Sequence, residues 1–446
     1  MPDAPSWAAC SAIARDERVA AATSLLGDGG VGAIAELLRR NGFKLCAARP
    51  QQLRAVPGHQ WSMRFVTCAT AHDGTPLTVP ITVEARRNAR VLPPPHPTVA
   101  LRVPLREPCA KVGNLWAWAF PYDPDMPDLA PACFGPDVRD ALRDSGVVAR
   151  NARFSVSCVL LRYRPGRRAV LRYNLVGVRG ASAPRVVYGK VLRPHRAERL
   201  YTSLRELRGG RPWLRQNDRP RLALPRPLFG GAMATLPVGG EPLRRRLLEN
   251  GSLPNPARIA GVVAYLASLT PRSPQTHMIN DHRDPARLAG HATRVLGHAL
   301  PDAKADVARV ADAVAQGLSA EPMELRLAHG DLYDEQIFVD EGYTLGVIDV
   351  DDIGLSDPVL DGANLCAHLL VLAIGHPQAA ARLTAYRRLV AAELARQLDA
   401  SPAALAWREA LALLMLATGP LRLLHPRWPA ETRRILGLAV RLVQGS

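Results

Sequence analysis

Eight carboxylates lie within residues 327–352, LAHGDLYDEQIFVDEGYTLGVIDVDD, a stretch that is also rich in aliphatic and β-branched residues. Acidic residues on a solvated surface do not require β-branched neighbours, which favour half-buried strands. The apolar residues indicate two antiparallel strands, residues 336–339 and 345–348, joined by a turn at residues 341–342. The carboxylates are therefore predicted to hold a ligand beside a buried hairpin.

Three oxygen-bearing side chains lie at the outer ends of these strands. Asp331 precedes the first strand, Gln336 begins it, and Asp349 follows the second strand, 18 residues after Asp331. Because an antiparallel pair joined by a tight turn brings its outer ends together, the three side chains are predicted to converge. Two carboxylates and an amide oxygen are hard ligands that suit Mg²⁺ held together with substrate phosphates. The alternative is a group of acidic turn residues that flank a hairpin without a ligand.

The segments HGDLYDEQIF and GVIDVDDIGLSDPVLDGANL, residues 329–338 and 346–365, resemble the aminoglycoside phosphotransferase family of small-molecule kinases, which share the protein-kinase-like fold. That family has an HGD motif, an Asn five residues after its Asp, an Ile-Asp pair and a Gly-Asp-Pro segment that ends in Asp. The matching positions are His329, Gly330, Asp331, Ile348, Asp349, Asp357, Pro358 and Asp361. Gln336 stands where the family has Asn, and its amide oxygen can still bind a metal from one methylene further out.

The resemblance implies a role for each of these residues. Asp331 would orient the acceptor hydroxyl and accept its proton, and Asp349 would hold Mg²⁺ against the ATP phosphates with help from Gln336. Asp351 either reaches a second metal or the substrate, or faces solvent. The remaining motif residues are predicted to brace the loop and its surroundings: His329, Asp357 and Asp361.

Lys190 is predicted to contact the α- and β-phosphates of ATP. It lies in the strand-like segment VVYGKVL, and it is one of only four lysines in a chain that has 53 arginines. A compact ammonium on a flexible stem can act in a narrow cleft where a planar guanidinium does not fit. The following helix offers two acids as partners, and the family spacing favours Glu206 over Glu198. An exposed lysine on a strand is the alternative.

No glycine-rich GxGxxG loop joins the first two strands of the predicted N-lobe, and the turn at residues 165–168 occupies its place. The backbone amide of Gly166 and the side chain of Arg167 are predicted to cover the phosphates, unless this is an ordinary hairpin turn with solvated arginines. Adenine is predicted to stack near the hinge, between Met233 and Leu236.

Strand patterns dominate the first half of the chain and helical periodicity the second, which predicts an α+β, bilobal protein-kinase-like fold. The predicted units are an N-terminal cap region (1–108), a β-rich nucleotide-binding N-lobe (109–237) and a helical C-lobe with the catalytic loop (238–446). The cap region resembles the domain that maltokinases carry before the kinase core. The segment GDGGVG, residues 27–32, is predicted to be a turn, because it follows no clear strand and lacks the Lys-Ser/Thr ending of a phosphate loop.

Within these units the patterns predict individual elements. Helices are expected at residues 31–41, 195–207, 258–269, 285–298, 302–318, 379–398 and 402–417. Strands are expected at residues 61–68, 77–84 and 185–192, as a hairpin within 157–177, and as two short strands within 226–240. The segment 417–429, with its Trp and arginines, either lines the acceptor side of the C-lobe or packs in its core.

The net charge is +17, and a balance of this kind suits nucleic acid or another polyanion. The sequence has no clustered basic tail and no basic stripe with interleaved aromatic residues. An arginine-rich coding bias, with charges spread over solvated helix faces, is therefore the favoured interpretation, and nucleic acid is not predicted as a partner.

Seven cysteines are scattered singly with no CxxC pair, which disfavours a disulfide framework and a zinc site and favours a reducing cytoplasm. No apolar run approaches about 18 residues, so no membrane span is predicted. Residues 1–14 lack the basic start and apolar core of a secretory signal. The expected localisation is cytoplasmic, and the oligomeric state stays open.

The leading functional hypothesis is an ATP-dependent kinase that phosphorylates a hydroxyl of a small molecule such as a sugar, a glycoside or an antibiotic. Sugars or anionic metabolites rank above aminoglycosides, because the C-lobe after residue 362 is not notably acidic. The alternative is a nucleotide-binding pseudokinase that regulates a partner protein. Gln336 and the missing glycine-rich loop favour it, whereas the intact Lys190, Asp331 and Asp349 oppose it. Protein kinase activity ranks third, because no Asp-Phe-Gly or Ala-Pro-Glu segment follows.

Overall fold

The computed structural model describes residues 16–19, 21–88, 91–99, 102–179, 184–207, 219–249, 251–270, 279–280, 283–321, 324–342 and 344–444 of the 446-residue chain. The prediction about a secretory signal at residues 1–14 lies outside the described residues. The chain first forms two helices and three long strands: α1 (Ala22–Leu26), α2 (Asp28–Arg40), β1 (Phe43–Val56), β2 (Gln60–Ala71) and β3 (Pro76–Arg86). Helix α2 packs Ile34 and Leu37 into the same apolar core as Met63 and Phe65 of β2.

The segment at residues 27–32 is not the turn that the sequence predicted, because α2 already begins at Asp28. An acidic residue in the first turn of a helix stabilises its N-terminus, and the burial of Gly30 and Ala33 against the sheet fixes this turn as helix. Gly30 is the glycine of this segment that is buried, whereas Gly27, Gly29 and Gly32 are exposed.

The first sheet extends beyond the predicted boundary at residue 108. Strands β4 (Cys109–Val112) and β5 (Leu115–Ala119) complete it, in the antiparallel order β1-β2-β3-β5-β4. Ala117 of β5 pairs with Val83 of β3, and both side chains are buried. The predicted boundary therefore lies inside this sheet. Two short helices follow, α3 (Leu129–Ala132) and α4 (Gly135–Asp144).

The second sheet is the β-rich half of the kinase-like core. Its elements are β6 (Ser155–Arg164), β7 (Arg168–Val176), β8 (Val186–Leu192), α5 (Pro194–Leu207), β9 (Arg221–Leu222), β10 (Arg226–Phe229) and β11 (Ala232–Thr235). The sheet order is β10-β11-β8-β7-β6, and its neighbouring strands are antiparallel; β9 joins another sheet. The predicted hairpin and the strand that follows it are confirmed. Strand β8 is central, since Lys190 pairs with Val170 of β7 on one side and with Met233 of β11 on the other.

The remaining chain is mostly helical. Its elements are β12 (Glu241–Pro242), α6 (Leu243–Leu248), α7 (Pro256–Ser268), α8 (Pro285–Ala299), α9 (Lys304–Ala320), β13 (Arg326–Ala328), β14 (Ile337–Val339), β15 (Leu345–Val347), β16 (Gly354–Ser356), α10 (Pro358–Gly375), α11 (Ala380–Leu398), α12 (Pro402–Leu416), α13 (Gly419–Arg422) and α14 (Trp428–Gln444). The predicted helices of this region agree with these bounds within a few residues. Strands β14 and β15 form the predicted antiparallel hairpin, and its strand residues are buried in a core with α7 and α10.

The predicted α+β class, with a β-rich N-lobe and a helical C-lobe, is confirmed. Helix α10 packs between α11 and α12 at the centre of the C-lobe. The segments Pro358–Gly375 and Pro402–Arg422 are long and apolar enough to cross a membrane by length and composition, but 61% and 67% of them are buried inside the protein. Core helices satisfy the same criteria, so the two segments are weak evidence for a membrane span.

Candidate active site

The HGD loop at residues 329–331 is held rigidly between β13 and β14. Gly330 adopts a φ of 89°, and a Cβ at this position would collide with the carbonyl oxygen of Asp352. Asp361, which is buried in α10, accepts hydrogen bonds from the backbone N–H groups of both His329 and Gly330. The ring Nε2 of His329 lies 2.9 Å from the carbonyl oxygen of Ile348. These contacts fix the loop relative to the hairpin and so fix the backbone that carries Asp331.

Asp357 has a structural place at the start of α10. Its side chain accepts a hydrogen bond from the N–H of Val359 at 2.9 Å and caps the helix. Its second oxygen accepts a hydrogen bond from the buried Arg408 of α12. Asp357 therefore ties α10 to α12 and makes no described contact with the carboxylates of the hairpin.

The predicted ligands at the hairpin lie close to one another. The side-chain Nε2 of Gln336 is 3.4 Å from Oδ2 of Asp349. Asp331 lines the adjacent cavity, and its charge acts to raise the pKa of Arg168, which is itself hydrogen-bonded to Asp349. Asp349 has the left-handed φ of 64°, which a non-glycine residue adopts only when its surroundings hold it there. The hairpin geometry thus aims the Asp349 carboxylate towards the N-lobe.

Two cations from the N-lobe meet two carboxylates from the C-lobe. Lys190 Nζ lies 2.6 Å from Oδ1 of Asp349 and 2.8 Å from Oδ1 of Asp351. Arg168 Nη1 lies 2.9 Å from Oδ1 of Asp349 and 3.4 Å from Oδ2 of Asp351. All four side chains are largely buried, so their charges interact in a poorly solvated environment. Asp351 therefore does not face solvent; it is part of the site.

The charges of this cluster shift one another's protonation equilibria. Burial acts to raise the pKa of Asp349, but Lys190 and Arg168 outweigh it and hold this pKa well below its ordinary value. Burial raises the pKa of Asp351 in spite of Lys190, and the charge of Asp349 adds to the rise. Burial acts to lower the pKa of Lys190, but the two carboxylates outweigh it and raise that pKa. Lys190 therefore stays cationic at neutral pH.

The donor atoms fit a divalent cation that also binds a ligand. The Oε1 atom of Gln336 is buried and has no hydrogen-bond partner in the described structure. Together with the carboxylates of Asp349 and Asp351 it provides the oxygen ligands that Mg²⁺ prefers. No group of three or more His, Cys, Asp or Glu side chains forms a metal-binding cluster within the described ranges. The residues thus suit a metal whose coordination is completed by water and phosphate, and they do not form an all-protein cage.

Lys190 forms no described ion pair with Glu198, which was the less favoured of its two predicted partners. Glu198 is exposed on α5, while that helix buries Ala197 and Leu200 in the core, and the described ion pairs of Lys190 are with Asp349 and Asp351. The physical reason is that the buried carboxylates of the hairpin lie within hydrogen-bond distance of the ammonium. Glu206 belongs to α5, but its side chain lies outside the described residues.

The predicted phosphate contact of the Gly166 amide is not supported by the structure. This N–H donates a 2.8 Å hydrogen bond to Oδ2 of Asp123, which is buried and also accepts from the hydroxyl of Tyr163. Gly166 has a φ of 59°, and a Cβ there would lie 2.6 Å from Oδ2 of Asp125. Asp123 thus fixes the turn through the amide that the prediction assigned to phosphate, and the nearby Asp125 leaves no room for a side chain at this position. Nothing in the sequence around Asp123 indicates this contact.

Arg167 lines the cavity next to the turn. Burial and the guanidinium groups of Arg196 and Arg54 lower its pKa to about 10, although Asp352 acts in the opposite direction. Arg167 is thus available to an anion in this cavity.

The residues predicted to lie near adenine differ in burial. Met233 is buried in β11, in a core shared with Leu192, Val350 and Ile353, so that it forms part of the contact between the lobes. Leu236 follows β11 and is 41% exposed. The exposed apolar side chain of Leu236 offers a surface on which adenine can stack. The buried Met233 is close to the site because it pairs with Lys190 on the neighbouring strand.

Arg168 is the site residue that sequence reasoning overlooked. It was treated as one of the arginines of a turn, yet it contacts both Asp349 and Asp351. The strand register contains the missing signal. Lys190 pairs with Val170 on the neighbouring strand, and directly paired residues point to the same face of a sheet. Arg168 lies two residues before Val170, so it points to that face as well. Their shared orientation could have been inferred once the hairpin was accepted.

A cavity of about 860 Å³ opens beside this cluster. Its lining comes from the first sheet, the turn after β6, the start of α5, α8 and α13, and it includes Asp331 and Tyr333. Among the residues that line it are twelve arginines and only three acids, Asp331, Glu335 and Asp352. The cavity is therefore strongly cationic.

A strand lysine on one lobe, facing an Asp that follows a β-hairpin on the other, next to an HGD loop, defines a kinase-like phosphotransferase. Residues 179–398 match the sequence model of the Phosphotransferase enzyme family. The match covers just under half of the chain, and over this region the predicted resemblance to aminoglycoside phosphotransferases is confirmed.

Several solved structures are similar to this chain. An aminoglycoside phosphotransferase from Streptomyces rimosus is 22% identical, with 63% of this chain and 96% of that chain covered and a TM-score of 0.37. An ethanolamine kinase from Plasmodium vivax is 10% identical, with 64% and 82% covered and a TM-score of 0.41. A choline kinase from Streptococcus pneumoniae is 11% identical, with 70% and 99% covered and a TM-score of 0.40. No curated protein matches the sequence.

Proposed function

We propose that this protein is an ATP-dependent phosphotransferase that phosphorylates a hydroxyl group of a small molecule. The observation that carries the proposal is the cluster of Lys190, Arg168, Asp349 and Asp351, next to a cavity that Asp331 lines. A phosphoryl transfer needs charge neutralisation at the phosphates and a carboxylate at the acceptor hydroxyl, and little further covalent chemistry. The cluster supplies the charge neutralisation, and Asp331 supplies the carboxylate at the acceptor hydroxyl.

The acceptor chemistry belongs to Asp331 in this proposal. Its carboxylate orients the acceptor hydroxyl and accepts the proton that leaves as the oxygen attacks the γ-phosphorus. The loop is suited to this task, because Asp361 and His329 hold its backbone and so limit the motion of Asp331.

The phosphate chemistry belongs to the four charged side chains. Lys190 and Arg168 stay protonated and can exchange a carboxylate for a phosphate oxygen when ATP binds. Asp349, Asp351 and the unpartnered Oε1 of Gln336 would hold Mg²⁺, which neutralises the phosphate charge when it is bound. The low pKa of Asp349 keeps this carboxylate ionised, as a metal ligand must be.

The acceptor is a small hydroxylated molecule such as a sugar, a glycoside or an antibiotic. A polycationic aminoglycoside fits poorly, because the cavity is lined mainly by arginines and two of its three acids are already in ion pairs. Like charges brought together in a partly enclosed cleft repel each other and weaken binding.

The test combines an ATP-consumption screen with a variant. The screen offers sugars, glycosides, antibiotics and nucleosides, and the best acceptor is then assayed with Asp331→Asn. We expect turnover to fall by about two orders of magnitude or more while ATP binding, measured by calorimetry, is retained. The matched control is Glu341→Gln, an exposed carboxylate in the turn of the same hairpin. Metal-independent ATP binding with no transfer to any acceptor would favour the regulatory pseudokinase instead.

A further inference from the structure

The cavity beside Asp331 contains more positive charge than a nucleotide alone requires. Lys190 and Arg168 do not line this cavity; their charges are directed to Asp349 and Asp351 beside it. Arg164, at the end of β6, and Arg422, in α13, line the same cavity but form no described hydrogen bond or ion pair with these two carboxylates. A second cationic area therefore exists at the acceptor side of the cavity.

Arg164 and Arg422 are partly buried, and the Nε atom of each is enclosed. Within the described part of the chain neither guanidinium takes part in an ion pair, and the Nε atom of each is buried with no hydrogen-bond partner. Burial and neighbouring guanidinium groups, Arg168 first, lower the pKa of Arg164 to about 9. Burial also lowers the pKa of Arg422, with Arg162 adding to the effect. Because an unpaired buried donor costs free energy, these groups are poised for an anion.

The acids of the cavity do not neutralise this area. Asp352 forms an ion pair with Arg196, and Glu335 forms one with Arg244. The third acid, Asp331, acts to raise the pKa of Arg422, so the two charges influence each other. Arg422 and Asp331 line the same cavity, so an acceptor molecule whose hydroxyl meets Asp331 can also reach Arg422.

The first sheet forms one wall of the cavity. Arg54 of β1 and Arg64 of β2 line it, and α13 packs against β1. Arg64 donates hydrogen bonds to the carbonyl oxygen of Tyr163 and to the side chain of Gln51. The wall is thus tied to the strand that ends at Arg164. This sheet precedes the region that matches the family, so its contribution is an addition to the kinase-like core.

We propose that the acceptor of this enzyme carries an anionic group, a phosphate or a carboxylate, which Arg164 and Arg422 bind while the hydroxyl of the same molecule meets Asp331. This inference rests on the proposed phosphotransferase function and names its acceptor class. In the reaction the acceptor oxygen forms a bond to the γ-phosphorus of ATP, the bond to the β,γ-bridging oxygen breaks, ADP leaves, and the hydroxyl proton goes to Asp331. The anionic group takes no part in bond exchange; it positions the hydroxyl.

The test measures anion binding with the nucleotide site filled. Sulfate and acetate are titrated by calorimetry into protein saturated with MgADP, so that the phosphate site of the nucleotide is not available to them. We expect binding that weakens about tenfold or more in Arg164→Gln and in Arg422→Gln, the effect of one charge-assisted hydrogen bond lost to each anion. Preferential binding of sulfate assigns a phosphorylated acceptor, and preferential binding of acetate a carboxylated one.

Two controls separate loss of binding from loss of folding. Arg441→Gln removes the same charge at an exposed position of α14 and should leave anion binding unchanged. Arg422→Lys keeps the charge and should recover part of the binding, and thermal melts should show that each variant is folded. Anion binding that is absent in the unaltered protein, or that keeps its unaltered affinity in both glutamine variants, overturns the inference.

The outcome also separates this inference from the proposed function. The protein could bind MgATP and transfer phosphate only to neutral acceptors, in a reaction that depends on Asp331, while binding no anion. That result would leave the phosphotransferase function intact and refute the anionic acceptor. Failure to bind MgATP at all would instead refute the phosphotransferase function, and with it the acceptor class.

Discussion

The ammonium nitrogen of Lys190 lies 2.6 Å from Oδ1 of Asp349, and this contact joins the central strand of the second sheet to the end of the β14–β15 hairpin. The pair is mostly buried, with 14% and 16% of the two side chains exposed. Ion pairs of this kind gain from Coulomb attraction but lose hydration, so their net stability is small. A ligand that offers phosphate to Lys190 and a metal to Asp349 can therefore replace the contact at moderate cost.

The first prediction concerns the phosphate contact of Lys190. Lys190→Ala should weaken ATP binding or misalign the nucleotide, because the strand then lacks the cation that reaches the phosphates. Lys190→Arg should recover little activity, since a larger planar guanidinium does not reproduce the contacts of a compact ammonium beside Arg168, which already reaches both carboxylates. ATP affinity by calorimetry and turnover with an identified acceptor check both variants. Lys304→Ala, an exposed lysine at the start of α9, is the control. Full activity in the arginine variant would show that charge alone suffices.

The second prediction concerns the loop that carries Asp331. Asp361→Ala leaves the buried N–H groups of His329 and Gly330 without their acceptor, and each such loss costs about 1–3 kcal/mol. The free energy of unfolding, measured with urea, should fall by about 2–4 kcal/mol. Asp312→Ala, an exposed acid on α9, should change it little. An unchanged free energy of unfolding in Asp361→Ala would contradict the bracing role.

The third prediction concerns His291, which lines the cationic cavity. Burial lowers the pKa of His291, and the guanidinium groups of Arg294, Arg167 and Arg54 add to this effect. At neutral pH the imidazole is therefore neutral, and a bound anion favours its protonated form. By linkage, sulfate binding should tighten as the pH falls from about 7.5 to about 5.5, by about threefold or more.

The control for this pH dependence is His291→Gln, which should bind sulfate with a flatter pH profile. Sulfate keeps the same charge over this range, so the probe itself adds no pH dependence. His195 and His368 also line the cavity, and burial lowers the pKa of each, so the corresponding glutamine variants show how the effect is divided. A profile that is the same with and without His291 would contradict the prediction.

The sequence predicted those site residues that lie close to one another along the chain. The HGD motif, the hairpin and Asp349 lie within a few tens of residues, so turn chemistry and strand pairing determine their geometry. Lys190 was identified by its rarity in an arginine-rich chain, and β8 does bring it to the carboxylates. Helix spacing gave no information on how deeply Asp349 and Asp351 reach towards the N-lobe, so their ion pairs with Lys190 were not predicted.

The remainder depends on contacts between distant parts of the chain. Arg168 and Asp349 are 181 residues apart, and Gly166 and Asp123 are 43 apart, so no local pattern links them. The contribution of Arg54 to the cavity depends on how the first sheet packs against α13. Tertiary packing of this kind is determined by the shape and burial of whole surfaces. Hydrophobic periodicity and motif spacing do not predict which distant surfaces pack together.

The last prediction concerns Gln336, because it separates an enzyme from a nucleotide sensor. If the unpartnered Oε1 of Gln336 binds Mg²⁺, then Gln336→Ala should raise the Mg²⁺ concentration that ATP binding requires. Asp349→Ala should abolish metal-dependent binding, since a carboxylate neutralises charge and an amide only solvates it. Gln336→Asn should retain substantial activity, because it supplies the donor usual in the family. Calorimetric titrations of ATP with and without Mg²⁺ distinguish these outcomes. An unaltered Mg²⁺ requirement in Gln336→Ala would remove this residue from the metal site and leave Asp349 and Asp351 to hold the ion.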